Sequence, residues 1–225
     1  MLHGAQRGLF EVEFCLPSQC ADRLEAGAAD IGIVPSAELL RLDLDVIVGA
    51  GIASEGIVRS ILLITKAPLP AIRTLAADTS SRTTVQLARL YLARKHGAMP
   101  RLIPQPPDLD AMLGAADACI VIGDPALRLD VMRLPYQVID LGAEWTAWTG
   151  LPMVFAVWAA RKGCITPGLA EAFLASCRFG LEHLDDIVRA EARPRGLSEE
   201  FAREYLTRRV RLELGDREYQ GLDLF

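Results

Sequence analysis

The hydroxyl-rich segment Asp78-Thr79-Ser80-Ser81-Arg82-Thr83-Thr84 is the part of the sequence best suited to chemistry. It follows the apolar run 75–77 and precedes a helical pattern that ends at Gly97, so its hydroxyls fall at a helix start. A first helical turn presents backbone N–H groups and the positive end of the helix dipole, and an arginine adds a cation. These features suit a carboxylate or a phosphate. An alternative stays open, in which Ser80 or Ser81 only caps the helix and Arg82 is a solvated residue.

Three further polar positions follow predicted strands or begin one. In Gly123-Asp124-Pro125, Asp124 is placed either to bind a substrate hydroxyl or to cap the turn that follows, and the cap is slightly favoured. Ser36 occupies a similar but weaker position after the strand 31–34. Ser60 stands at the start of a long apolar strand, where it either faces a ligand or is satisfied by the backbone.

A short repeat relates the elements that would position these residues. The pattern A-D-x-x-I-V occurs at 29–34 and at 116–121, each time after a proline-containing turn and a helical stretch. A duplicated strand, helix and strand unit predicts two similar α/β lobes. Because strand-end loops of such folds bind small ligands, we expect the loops of both lobes to face a shared cleft.

The predicted lobes are discontinuous in sequence. Residues 1–57 plus 151–225 form the first lobe and 67–149 the second, with hinge crossings at 58–66 and 150–160 that permit closure. The predicted strands are 9–16, 31–34, a strand beginning at 44–48 and passing through a Gly49–Gly56 loop, 58–65, 75–77, 101–103, 118–122, 138–141 and 153–159. The predicted helices are 18–26 with Ser18 as N-cap, one that follows Thr83 and runs to Gly97, 108–115, 167–191 and 199–213.

Composition excludes several classes of protein. The net charge is −5, the pI is near 5.3 and no basic stripe occurs, which argues against a nucleic-acid partner. No apolar run has the length of a membrane span, and the start has no secretory signal pattern, so we expect a cytoplasmic protein. The five cysteines lack C-x-x-C spacing and the three histidines are scattered, so we expect reduced thiols and no metal site.

Several longer runs are more specific than these features. They are 53–60 (A-S-E-G-I-V-R-S), 78–85, 106–110, 122–127 (I-G-D-P-A-L), 140–145 and 149–159 (T-G-L-P-M-V-F-A-V-W-A). Together they resemble the chorismate dehydratases of futalosine-type menaquinone biosynthesis, over nearly the whole chain. The resemblance implies a two-lobed α/β fold like that of type II periplasmic binding proteins, with a cleft between the lobes.

The resemblance also implies a reaction and a site. Chorismate would lose water to give 3-[(1-carboxyvinyl)oxy]benzoate, without a metal or an organic cofactor. The sequence shows no obvious protein base, so a substrate carboxylate that acts as the base is a hypothesis. One substrate carboxylate would lie at the helix start, Ser60 would be a catalytic polar contact, and Gly123 and Asp124 would line the opposite wall. The residues expected to bind substrate are Thr79, Ser80, Ser81, Arg82, Thr83, Gly123, Asp124 and Ser36. For Arg82 an alternative stays open, in which it only buttresses the helix start.

Two other functions are open at this point. One is a non-catalytic protein of the same fold that binds a small carboxylate. The other is the sibling enzyme that makes 1,4-dihydroxy-6-naphthoate, which resembles a histidine-base enzyme, whereas no histidine here is placed for the cleft. The sequence leaves the choice between a monomer and a homodimer open. Family members have a further strand and an S-Y-L-N-like loop before the position of Leu2, so we expect the natural start to lie upstream.

Overall fold

The computed structural model describes residues 4–78 and 81–225. The chain divides into two compact units. The first unit contains the residues up to Ala53 together with Val154–Phe225, and the second contains Ser54–Met153. The hinge role of the two crossings stays a prediction.

Strands and helices alternate through most of the chain. The strands are β1 (Ile31–Pro35), β2 (Leu44–Ser54), β3 (Ile61–Thr65), β4 (Thr74–Ala77), β5 (Arg101–Pro104), β6 (Ala118–Ile122), β7 (Gln137–Asp140), β8 (Met153–Arg161) and β9 (Arg211–Glu213). The helices are α1 (Pro17–Glu25), α2 (Arg82–His96), α3 (Leu109–Ala115), α4 (Gly123–Leu127), α5 (Leu141–Thr149), α6 (Pro167–Glu182), α7 (Leu184–Glu191), α8 (Glu199–Glu204) and α9 (Asp216–Leu224).

The second unit is built on a five-stranded sheet in the order β5-β4-β6-β3-β7. Strand β4 is parallel to β5 and β6, whereas β3 is antiparallel to both of its neighbours, β6 and β7. The strands β4, β5, β6 and β7 therefore all run in one direction. All five residues of β3 are buried, as expected for a central strand covered on both faces.

Aspartate caps begin two helices of the second unit, and glycines end two of them. Asp108 caps α3 by accepting a hydrogen bond from Ala111 N, and Asp140 caps α5 in the same way through Ala143 N. Gly97 ends α2 and Gly150 ends α5, both with the left-handed backbone that favours glycine.

The first unit contains a four-stranded sheet in the order β1-β8-β2-β9. The strands β1 and β8 pair antiparallel, as do β2 and β9. A Cβ at Gly51 in β2 would lie 2.7 Å from Ala156 O, so glycine permits a close approach of backbones there. The terminal helix α9 packs on the same core, since Tyr219 and Leu222 contact it and the Tyr219 hydroxyl accepts a hydrogen bond from Gly49 N.

Some predictions about the first unit are wrong. The alternating segment predicted as strand 9–16 has no strand structure, and no described segment pairs with it. Ser18 is not an N-cap, because α1 begins at Pro17, whose fixed φ and missing N–H suit the first helical position. The predicted Gly49–Gly56 loop is mostly strand, since β2 continues to Ser54.

Predictions near the C-terminus and in the second unit also differ from the structure. The predicted helix 167–191 is interrupted at His183, and the predicted helix 199–213 gives way to the strand β9. The predicted strand 58–65 begins only at Ile61. The segment 142–149, to which no helix or strand was assigned from the sequence, belongs to the helix α5.

Candidate functional site

Four strand ends and the helices that follow them meet at one edge of the sheet in the second unit. The strands β4, β5, β6 and β7 run in the same direction and lead into α2, α3, α4 and α5 respectively. The antiparallel strand β3 begins at this edge, with Ile61 paired to Ile122 at the end of β6. Helix N-termini gathered at the carboxyl ends of strands form the usual place for a ligand in open α/β sheets.

Of the four helix N-termini at this edge, that of α2 is best suited to bind an anion. Among these four helices, α2 alone has no acidic residue in its first turn, whereas α3, α4 and α5 carry Asp110, Asp124 and Glu144. Its first residue is Arg82, and positive charge together with the helix dipole favours a bound carboxylate.

The predicted anion-binding residues lie at this helix start as far as the structure describes them. Ser81 occupies the N-cap position but makes no side-chain capping hydrogen bond, so the simple capping role is wrong for Ser81. Its Oγ instead lies 2.7 Å from Thr84 Oγ1. Thr83 is buried and Arg82 is partly buried. Thr79 and Ser80 lie outside the described residues.

Gly123 and Ser60 are in direct contact at the same edge. Gly123 N donates a hydrogen bond of 2.8 Å to Ser60 O. Gly123 has a φ of 62°, which glycine adopts without the cost of a side chain. The predicted turn at 123–125 is the first turn of α4, in which Asp124 is the second residue. The structure therefore brings Ser60, Gly123 and Asp124 together beside the strand that leads to α2.

The backbone before Ser60 is in an unusual conformation. Arg59 has a φ of 68° and is the only described residue other than glycine with a positive φ. A side chain in this region costs about 1–2 kcal/mol, so neighbouring contacts must hold it there. Ser60 itself is 5% exposed.

Those contacts come from the start of α5. The Asp140 carboxylate accepts hydrogen bonds from Arg59 N at 2.7 Å and from Val58 N at 3.1 Å, besides capping α5. Thr146 Oγ1 accepts from Gly56 N at 2.8 Å. The sequence analysis missed this role of Asp140, although an aspartate directly before Leu-Gly-Ala-Glu is a recognisable N-cap signal.

Ser36, the remaining predicted site residue, belongs to the first unit. It is buried directly after β1, and its Oγ donates a hydrogen bond of 2.8 Å to Val154 O. The hydroxyl proton of Ser36 is therefore already donated to a backbone carbonyl. A role for Ser36 in binding stays a prediction.

Cysteines and acids give no sign of metal chemistry in the part of the chain that the structure describes. No cluster of three or more His, Cys, Asp or Glu side chains there is arranged to hold a metal ion. All five cysteines are free thiols, and burial in β6 raises the pKa of Cys119 to about 12. None of the described helices combines the length and apolarity needed to cross a membrane.

Solved structures with a similar fold include two of clear likeness. An X-ray structure of protein AF1704 from Archaeoglobus fulgidus superposes with a TM-score of 0.70 at 20% identity, covering 94% of this chain and 82% of that one. An ABC transporter structure from Parabacteroides distasonis gives a TM-score of 0.53 at 18% identity, covering 92% and 76% of the two chains. The predicted fold class, α/β of the periplasmic-binding-protein type, is confirmed.

Sequence relatives identify the family. A chorismate dehydratase from Thermus thermophilus is 32% identical over 227 residues, which cover 92% of this chain and 83% of that protein. The family model described as menaquinone biosynthesis matches residues 2–225. The resemblance that the sequence motifs indicate is therefore confirmed, and the chain belongs to the menaquinone biosynthesis family.

Proposed function

We propose that this chain is a chorismate dehydratase, a hydro-lyase that converts chorismate to 3-[(1-carboxyvinyl)oxy]benzoate. The observation that carries the proposal is the 32% identity to the Thermus thermophilus chorismate dehydratase across 92% of the chain. In this reaction the C3–H bond breaks and its electron pair forms the third ring double bond. The C4–O bond breaks at the same time, and the leaving hydroxide combines with a proton as water.

The start of α2 is the proposed site of a substrate carboxylate. Its first turn contains Arg82 and no acid, whereas the first turns of α3, α4 and α5 each contain an acid that would repel a carboxylate. Ser81 and Thr83 add hydroxyl donors, and Thr79 and Ser80 directly precede them in sequence. Arg82 is proposed to support the turn.

The neighbouring helix start suits the hydroxyl end of the substrate. Asp124 in the first turn of α4 is an acceptor, and a carboxylate there would repel a second carboxylate but accept a hydrogen bond from an alcohol. Ser60 is the proposed catalytic contact, because its backbone is tied to Gly123 beside Asp124. The enzyme contributes mainly orientation and charge stabilisation, since aromatisation of the ring drives the loss of water.

The proton acceptor is proposed to be a carboxylate of the substrate itself. No metal or organic cofactor is needed for this elimination, because the ring supplies the electrons for the new double bond. As for other enzymes of small-molecule biosynthesis, we expect action in the cytoplasm.

Incubation with chorismate tests the proposal, with products followed by liquid chromatography and mass detection. The expected product is lighter than chorismate by one water and has an aromatic ultraviolet spectrum. Chorismate left unchanged by folded protein would overturn the proposed activity. Full rates for Ser60→Ala and Asp124→Asn would remove both residues from the mechanism while leaving the activity in place.

A further inference from the structure

We propose that Asp140 is a positioning residue that holds Ser60 where it can contact the substrate. This inference rests on the proposed function, since it assigns a purpose to the catalytic contact at Ser60. Asp140 lies at the end of β7, on the strand next to β3, where Leu62 pairs with it. Asp140 therefore contacts the residues just before Ser60, but it is not itself proposed to contact the substrate.

The Asp140 carboxylate has two tasks, which are to cap α5 and to hold the peptide groups before Ser60. Oδ1 accepts a hydrogen bond from Ala143 N at 3.0 Å, which caps α5, and a longer one from Val58 N at 3.2 Å. Oδ2 accepts from Arg59 N at 2.7 Å and from Val58 N at 3.1 Å. Charge-assisted hydrogen bonds of this kind are roughly twice as strong as neutral ones, so this carboxylate fixes two successive peptide groups.

The conformation held in this way is one that the chain avoids on its own. Arg59 has a φ of 68°, which a residue with a side chain adopts only when its surroundings impose it. Its guanidinium donates to Leu129 O at 3.2 Å, so the side chain is anchored on the far side. Without the Asp140 acceptor, the backbone at Arg59 would relax toward negative φ and turn Ser60 away.

Ser60 is thus held from both sides. Asp140 fixes the peptide groups that precede it, and Gly123 N fixes its carbonyl at 2.8 Å. An error of about 1 Å in the position of a catalytic group costs about a hundredfold in rate, so such fixing has a direct kinetic consequence.

The substitution Asp140→Asn separates the two tasks of the carboxylate. Asparagine caps helices as well as aspartate does, so its one oxygen keeps the bond to Ala143 N. Its amide nitrogen then replaces Oδ2 and meets the N–H of Arg59, donor against donor, while the retained oxygen keeps only the longer bond from Val58 N, at 3.2 Å. We expect kcat to fall about tenfold or more while KM changes little, because the substrate carboxylate is bound elsewhere.

Asp108→Asn is the matched control. Asp108 caps α3 at the opposite edge of the same sheet, where its carboxylate accepts a hydrogen bond from Ala111 N at 2.8 Å. We expect this variant to keep the kinetic constants of the unchanged chain. A fall in kcat of the same size for both variants would show a general effect of altered helix caps and would overturn the proposal.

A second substitution tests the backbone conformation directly. Glycine adopts a positive φ freely, so a backbone with Arg59→Gly in the Asp140→Asn background no longer needs the Asp140 hydrogen bonds to hold that conformation. We expect the double variant to recover several-fold of the lost kcat. Equal kcat values for the single and double variants would contradict the proposal.

Amide hydrogen exchange, measured without any substrate, separates this inference from the proposed activity. In Asp140→Asn the amide of Arg59 should exchange faster, while that of Ala143 is unchanged. Faster exchange in a chain that does not dehydrate chorismate would support the role of Asp140 in holding this backbone and overturn the proposed function. Unchanged exchange and unchanged kcat in an active chain would overturn the role of Asp140 and support the proposed function.

Discussion

Asp117 and Thr74 hydrogen-bond to each other in both directions. Asp117 N donates to Thr74 Oγ1, and Thr74 Oγ1 donates to Asp117 Oδ2, each over 2.9 Å. The same oxygen accepts from the backbone N–H groups of Arg73 and Thr74, also at 2.9 Å. One carboxylate therefore ties the start of β4 to the start of β6, the two strands that lead to the proposed site.

Replacing Asp117 should produce a pH-dependent loss of stability. Hydrogen bonds from Arg73 N and from Thr74 lower the pKa of Asp117 below its unfolded value. The resulting stabilisation is complete above the unfolded pKa, near 4, and is lost as the pH falls through the folded pKa. We expect Asp117→Asn to lower the free energy of unfolding by about 1–2 kcal/mol at pH 7, by less near pH 3.

Urea unfolding at the two pH values measures this difference. The control is Asp30→Asn, the matching aspartate of the sequence repeat, whose ion pair with Arg161 is exposed. That variant should change the free energy of unfolding by about 0.5 kcal/mol or less. The same loss for Asp117→Asn at both pH values would contradict the assigned role of the charge.

Gly142 should tolerate no larger residue. A Cβ there would lie 2.8 Å from Ser54 Oγ and 3.0 Å from Gly56 O, so alanine forces the segment before Ser60 away from α5. We expect Gly142→Ala to lower the free energy of unfolding by about 1–3 kcal/mol. Gly180→Ala in α6 meets nothing within 4 Å and should instead raise it by about 0.5–1 kcal/mol. Thermal denaturation of both variants checks the opposite signs, and a shared sign would contradict this account of Gly142.

Two buried serines should respond to alanine in opposite ways. Ser54 is fully buried, and its Oγ has no hydrogen-bond partner among the described residues, so Ser54→Ala removes an unsatisfied group. We expect the free energy of unfolding to rise by about 1 kcal/mol. Ser36→Ala removes the donor to Val154 O and should lower it by about 1 kcal/mol. Chemical denaturation compares the two, and a loss of stability for Ser54→Ala would show that its hydroxyl has a partner.

The cysteines should differ in reactivity by their burial. Cys15 and Cys164 are exposed, whereas Cys119 is buried and its burial raises the pKa of its thiol to about 12. Since the thiolate is the reactive form, Cys119 should resist a disulfide reagent at pH 8 until the protein unfolds. Native Cys119→Ala should therefore titrate with the same number of fast thiols as the unchanged chain. A loss of one fast thiol would contradict the buried position.

Local sequence signals predicted the parts of the second unit that depend on short-range chemistry. A helix start at the hydroxyl-rich segment 78–84, the helix end at Gly97 and the strand before Gly123 follow from periodicity and from glycine. The predicted strand 9–16 was wrong. Alternation of apolar and polar residues shows that a segment could pair in a sheet, but it does not show that a partner strand is present. The support of Ser60 by Asp140 depends on hydrogen bonds between residues 81 and 82 positions apart, and short-range patterns carry no information about such contacts. The positions of Ser36, Gly123 and Asp124 directly after a strand were therefore predictable, whereas the contacts that orient such residues were not.

A crystal structure of Ser60→Ala with chorismate bound tests the central claim most directly, since the variant should retain the carboxylate site while slowing turnover. The account predicts a substrate carboxylate within hydrogen-bond distance of Ser81 and Thr83 at the start of α2, with the ring hydroxyl toward Asp124. Chorismate bound away from that helix start would contradict the proposed site.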